Sequence, residues 1–137
     1  MLYENGELQV RVARNIRGDQ IYSDSFQYSR TVISRVEKSK QPVLVSDAQQ
    51  DPRFSTRDSI RMYQLRSILC VPLILKEKMV GLIYVDSRLA QNIFQERQLA
   101  LLNLFAGQIA VAIENARLHD KLETENIQLR HQVGQIY

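Results

Sequence analysis

The chain is poor in the residues that usually carry chemistry. It has 137 residues, with one cysteine, two histidines, three prolines, five glycines and no tryptophan. With Cys70 alone, an internal disulfide is excluded, and a reducing compartment fits. Gly6, Gly18, Gly81, Gly107 and Gly134 never cluster, so no phosphate-cradling loop exists. His119 and His131 lack metal-ligand spacing. Cys70 has no histidine near it in sequence and sits in an apolar run, which raises a thiol's pKa. The longest such run, Ile68 to Leu75, is well short of the ~20 residues that cross a bilayer. The first residues, MLYENGELQ, carry acids and no apolar secretion signal. These absences point away from an enzyme, a metal centre and a membrane protein, and place the chain in the cytoplasm.

What is present is an ordinary globular composition, 45% apolar and 24% charged, on a length suited to one domain. The net charge of +3 raises the question of nucleic acid. Yet Arg11, Arg14, Arg17, Arg30, Arg35, Arg53, Arg57, Arg61 and Arg66 are spread out and interleaved with acids, and no Arg/Lys cluster with stacking aromatics appears. Direct nucleic-acid binding by this segment is not expected.

Asn5-Gly6 reads as a hairpin turn between a strand at MLYE and one at ELQVRVAR, where Leu8, Val10 and Val12 alternate. A polar crossing, NIRGDQIYSDS, follows. SRTVISRVEKSK has Val32, Ile33 and Val36 at helical spacing with Ser29 as N-cap, and QPVLVSDA reads as a short strand. QQDPRFSTRDSIRMYQ is loop-like, with a helical turn expected around Ser59 to Tyr63; long irregular connections of this kind form lids or pocket walls. After the hairpin of residues 66–87, a loop leads to a helix that runs from about Gln95 with no stop before the chain ends. The expected fold is α+β, an antiparallel sheet with a long C-terminal helix. The chain starts on a strand and ends inside a helix, so both ends read as cut from a larger protein.

The hairpin RSILCVPLILKEKMVGLIYVDS carries two long apolar runs. A three-residue loop at Lys76-Glu77-Lys78 would set Leu75 opposite Met79 and Cys70 opposite Tyr84. One face would then hold Leu69, Val71, Leu73, Leu75, Met79, Gly81, Ile83 and Val85, with Gly81 admitting a helix at close range. The other would hold Ile68, Cys70, Pro72, Ile74, Val80, Leu82, Tyr84 and Asp86. A two-residue turn would swap one strand's faces. Neither face alternates with polar residues, so both must be covered. Tyr84 and Asp86 need hydrogen-bond partners there, either the protein's own backbone or a ligand. Asp47, Phe54, Ile60, Ile68, Cys70, Tyr84 and Asp86 are the candidate pocket residues.

The long helix is apolar on several stripes: Leu101, Phe105 and Ala112; Leu102, Ile109, Ile113 and Ala116; Leu104, Val111 and Leu118. One stripe suffices to cover a sheet, so a second subunit is the expected partner of another. Leu122, Leu129 and Ile136 then recur every seven residues, with His119, Asn126 and Val133 at the alternate seam positions. That is a short coiled-coil seam, expected to pair a homodimer through Leu118, Leu122, Asn126, Leu129 and Val133. An amphipathic tail docking on its own domain would give the same pattern.

Three stretches, QPVLVSDAQQDPRF, LRSILCVPLILKEKMVGLIYVDS and LLNLFAGQIAVAIENARL, together resemble the GAF family of sensor domains. The resemblance implies a central antiparallel sheet with helices on one face and a ligand pocket under loops on the other. It also implies a regulatory role, a small-molecule effector and a covalently linked output domain. Residues 1–118 would be the sensor and 119–137 the signalling helix, with the family's first helix missing. No cofactor is specified. The chain lacks the Asn-Lys-Phe-Asp-Glu signature of cyclic-nucleotide-binding members. Val71 follows Cys70 where bilin-binding members have histidine. One cysteine departs from the several of sulfoxide-reducing members. Of the iron-bound nitric-oxide sensors' ligands only Asp86 matches, Ile68 standing where their cysteine would be. LETENIQLRHQVGQIY resembles the linker before the AAA+ module of bacterial enhancer-binding transcription activators. The expected function is thus small-molecule sensing in a bacterial transcriptional regulator, with ligand state relayed through the C-terminal helix to an output domain. A ligand-free dimerisation scaffold in a kinase or cyclase is the alternative.

Overall fold

A computed structural model of the chain describes residues 1–13, 28–54, 60 and 63–136, with side chains to residue 133. The elements are β1 (Leu2–Glu4), β2 (Glu7–Gln9), α1 (Arg30–Ser39), β3 (Val43–Val45), β4 (Ser67–Leu75), β5 (Lys78–Ser87) and, in our numbering, α2 (Glu96–Ile136). The strands form one antiparallel sheet in the order β2-β1-β5-β4-β3. Asn5 and Gly6 both have positive φ, as a two-residue turn matched to strand twist requires. The second strand is shorter than its alternation predicts. It stops at Gln9, and Val12 is exposed.

The central hairpin corrects the sequence reading in an instructive way. Its turn has two residues, Lys76 and Glu77, both at positive φ, so Leu75 pairs with Lys78 and Ile74 with Met79. Val80 is then an extra, bulged residue, because Leu73 pairs with Gly81. The bulge restores the offset, and Cys70 does face Tyr84. Between turn and bulge the faces are exchanged: Met79 packs with Ile68, Cys70 and Leu82, whereas Val80 packs with Leu69, Val71 and Leu73. Gly81 serves an approach different from the one expected. A Cβ there would run into the Met1 carbonyl oxygen and Leu2, so its bareness admits the first strand, not a helix.

Each sheet face has its own cover. Ala106 and Ala110 of α2 are buried against Leu69, Val71, Leu73 and Val80, with Leu102, Ile109 and Ile113 beside them. On the other face lies α1, whose Ser29 N-cap accepts a hydrogen bond from the Val32 amide at 3.3 Å. Its Val32, Ile33 and Val36 pack with Phe54, Ile60, Ile68 and Cys70. Burying each such side chain stabilises the fold by about 1.5–3 kcal/mol.

By length and composition α2 would pass for a membrane span, which a search for unbroken apolar runs misses. In this fold one of its stripes is committed to the sheet. Leu101, Leu104, Phe105 and Val111 remain exposed, and from Leu118 to Val133 every side chain is exposed. The lid turn expected at Ser59 to Tyr63 lies largely outside the described residues, as does the polar crossing.

Candidate sensor site

At the polar end of β5 the α1-side face departs from hydrocarbon. Tyr84 and Asp86, two residues apart on a strand, share that face, and the Tyr84 hydroxyl donates to Asp86 Oδ2 at 2.7 Å. The same hydroxyl oxygen accepts the Ser29 backbone N–H at 3.1 Å. One phenol therefore joins β5 to the first turn of α1. Tyr28 adds an edge-on ring contact, with centroids 6.3 Å apart.

Burial, with the Asp86 charge beside it, pushes the Tyr84 phenol up from its ordinary value, keeping it a donor. Burial likewise pushes the Asp86 carboxyl up, partly offset by the Tyr84 hydrogen bond and by Arg88. Cys70, opposite Tyr84, is fully buried, and burial pushes its thiol up to about 12. It is a packing residue at neutral pH, with almost no thiolate.

Six of the seven expected pocket residues come together. Phe54, Ile60, Ile68 and Cys70 are buried in one cluster, Tyr84 packs against it, and Asp86 is bonded to Tyr84. Asp47 belongs to another arrangement. Its Oδ1 accepts the Gln49 N–H at 3.2 Å, and its Oδ2 accepts from Arg66 at 3.2 Å. Gln49, which the sequence did not single out, donates its amide to the carbonyls of Ile60 and Leu65 at 3.0 and 2.8 Å. It ties the start of the lid to its end, and only its place in a polar loop marked it.

A second set of contacts runs from α1 to α2. Tyr3 donates its hydroxyl to Glu37 Oε2 of α1 at 2.6 Å, and its carbonyl accepts from Arg117 Nη2 of α2 at 2.7 Å. Burial, followed by Glu37, pushes the Tyr3 phenol up to about 12. Arg117 is the last partly buried residue of α2 before its fully exposed stretch. Thus α1 is anchored to β5 at its start and, through β1, to α2 near its end.

Comparison with known proteins places this geometry. The chain is 32% identical over 92 residues to hybrid signal transduction histidine kinase G of Dictyostelium discoideum, covering 67% of this chain. It is 30% identical over 104 residues to dual 3',5'-cyclic-AMP and -GMP phosphodiesterase 11A of Takifugu rubripes, covering 74% of this chain. The matches span only 3% and 11% of those proteins' lengths. Among solved structures, a GAF domain from Synechocystis in its photoproduct state superposes with a TM-score of 0.58, at 21% identity over 81% of this chain and 84% of that one. The free methionine-R-sulfoxide reductase of Neisseria meningitidis, in complex with its substrate, gives 0.55 at 23% identity, over 66% of this chain and 51% of that one. At those identities the likeness shows the fold alone. The GAF domain family model matches residues 2–113, from β1 through the docked part of α2, and the chain belongs to the GAF domain family.

Proposed function

We propose that the chain is the small-molecule-sensing module of a signal-transduction protein, acting at the Tyr84–Asp86–Ser29 corner and relaying its state along α2 to an output domain. The observation that carries this reading is the shared Tyr84 hydroxyl, which holds both the buried carboxyl and the start of α1. An effector that takes over either hydrogen bond competes with the helix for Tyr84. Displacement of α1 would be felt through Glu37, Tyr3 and Arg117 where α2 leaves the body. The effector shifts that equilibrium only through its different affinity for the two arrangements. A regulatory role is favoured over catalysis because the lone thiol is buried and protonated. We place the module in the cytoplasm.

Its relatives carry histidine kinase or phosphodiesterase names, so an output of either kind suits the module. A bacterial AAA+ transcription activator as parent rests on the tail's resemblance alone. The exposed row Leu101, Leu104, Val111, Leu118, Leu122 and Leu129 supports pairing with a second copy. Asn126 would set the register within that seam.

The test uses the full-length parent. Tyr84→Phe should abolish effector-dependent output while the protein stays folded; a normal response from a folded Tyr84→Phe protein refutes the sensor site. The packed cluster of Phe54, Ile60, Ile68 and Cys70 supports a second reading, a ligand-free dimerisation scaffold. That reading predicts no thermal stabilisation by any nucleotide or metabolite tested, together with a dimer that Leu122→Asp and Leu129→Asp convert to a folded monomer in sedimentation.

A further inference from the structure

The flank of α1 turned away from the sheet carries a different feature, a groove of about 630 Å3 shared with the loop at Arg53 and Phe54. Helical spacing puts Arg30, Ser34 and Lys38 on one row and Thr31, Arg35 and Ser39 on the next. Cations and hydroxyls therefore interleave along two turns, a length of ~12 Å.

Among the described residues the charge of this groove is only partly neutralised, by Asp51, which also lies within electrostatic reach of Arg35. Arg53 is held by Asp51 at 2.8 Å, and that guanidinium keeps the Asp51 carboxyl below its usual range. Arg30, Arg35 and Lys38 have no ion-pair partner among the described residues. Glu37, on the same helix, is engaged by Tyr3. Arg30 also borders a neighbouring opening lined by Glu7 and Glu37, so it is the least isolated of the three.

Two of the guanidiniums are positioned in advance. Arg35 and Arg53 lie over the Phe54 ring, 5.4 and 5.0 Å from its centroid, and the ring itself is buried. Arg53 also donates to the Leu44 carbonyl at 3.0 Å. Fixed guanidiniums lose less freedom on meeting an anion than solvated chains do. A solvated cationic face would lack both the concavity and this fixation.

We propose that the groove binds an oligophosphate, a linear run of phosphates either free or carried by a nucleotide, at a site separate from the Tyr84 corner. Phosphate oxygens accept several hydrogen bonds at once, which suits donors alternating between guanidinium or ammonium and hydroxyl. An acidic peptide fits less well, because successive side chains of an extended chain point to opposite sides. Bound anion would bridge α1 to the loop at Arg53 and Phe54.

The test is calorimetric titration of the chain with inorganic tripolyphosphate at about 0.15 M salt, where distant surface charge is screened. Saturable one-site binding is expected, weakened roughly tenfold or more in the double variant Arg30→Gln with Lys38→Gln, and also weakened in Arg35→Gln, since each variant removes charged donors that a phosphate oxygen would meet. Circular dichroism and melting of the double variant should match the parent. A folded Tyr84→Phe protein should retain saturable tripolyphosphate binding; its complete loss would overturn the separateness of the site. Equal affinity for ATP and tripolyphosphate would identify the phosphate run as the whole ligand, and tighter ATP binding a nucleotide carrier. Absence of saturable binding, equal affinity in the double variant, or equal binding of an oligoglutamate peptide would each overturn the proposal.

Discussion

The two faces of the β4–β5 hairpin solve different problems with the same backbone. On the α2 side, Leu69, Val71, Leu73, Ile83 and Val85 meet Ala106 and Ala110, and the small alanines let the helix come close to a hydrocarbon surface. On the α1 side, the same two strands present Ile68, Cys70 and Leu82, and then a phenol and a carboxyl that occupy each other and a helix amide. Away from the buried Ser67, whose hydroxyl donates to the Val45 carbonyl and accepts the Phe94 N–H, the first face answers to volume. The second also answers to hydrogen bonding and protonation, so a small change in chemistry there can move a covering element.

If that contrast is right, volume should dominate the response of the α2 face. Leu73→Ala should lower unfolding stability by about 2–5 kcal/mol in urea titration, with the same loss at every pH. A loss that varied strongly with pH would break the distinction. On the other face, Tyr84→Phe removes one atom and almost no volume, yet strands the Ser29 N–H and the Asp86 oxygen. It should cost about 1–3 kcal/mol and raise amide exchange first at the start of α1. Exchange that rises uniformly over the protein would contradict a local anchor.

Much of this arrangement was legible from residue patterns, and the failures have physical causes. The Asn5-Gly6 turn and the Ser29 cap both follow from local chemistry. The Lys76-Glu77 turn was hidden because neither residue favours positive φ, and the Val80 bulge cancelled the resulting error farther along. Stripes on α2 are visible as spacing, but spacing cannot say which stripe meets the sheet; the alanines at 106 and 110 decide it by close approach. Tyr84 and Asp86 were flagged as polar groups needing partners. Asp86 is met by Tyr84 itself, and the donor to Tyr84, the Ser29 amide, is a backbone group 55 positions away that no side-chain pattern announces. Asp47 was drawn into the pocket by sequence proximity to the lid, whereas Arg66 holds it elsewhere.

Protonation sharpens the comparison further. Burial raises Asp86 above its ordinary 3.8, so the folded state keeps its proton after the unfolded chain has lost it. The stability this group contributes is present below 3.8 and is lost as pH rises through the raised value, the reverse of a salt-bridged acid. Asp51 behaves in the opposite sense. Its carboxyl is lowered chiefly by Arg53, so its contribution is present above 3.8 and is lost as pH falls through the lowered value. Asp86→Asn keeps an oxygen for Tyr84 and should flatten the decline on the alkaline side, leaving the acid side intact. An unchanged profile in urea unfolding across pH would mean that Asp86 is already relieved of its burial penalty.

The smallest expected effect concerns the link between the two covers. Tyr3→Phe removes the hydrogen bond to Glu37 but leaves the Tyr3 carbonyl, and with it the Arg117 contact, in place. A loss of only about 0.5–1.5 kcal/mol is expected, because Tyr3 is half-buried and water can replace the phenol. Arg117→Gln should cost no more, since it cuts a single contact at the edge of the packed region. What separates the two is location. With Tyr3→Phe, amide exchange should rise in the second half of α1 while α2 keeps its protection; with Arg117→Gln, the rise should fall on α2 around residue 117. When either is combined with Tyr84→Phe, the losses should exceed the sum of the single ones if α1 is held as one body at both ends. Strict additivity would make the two anchors independent, and the route from corner to helix would then have to run through the sheet itself.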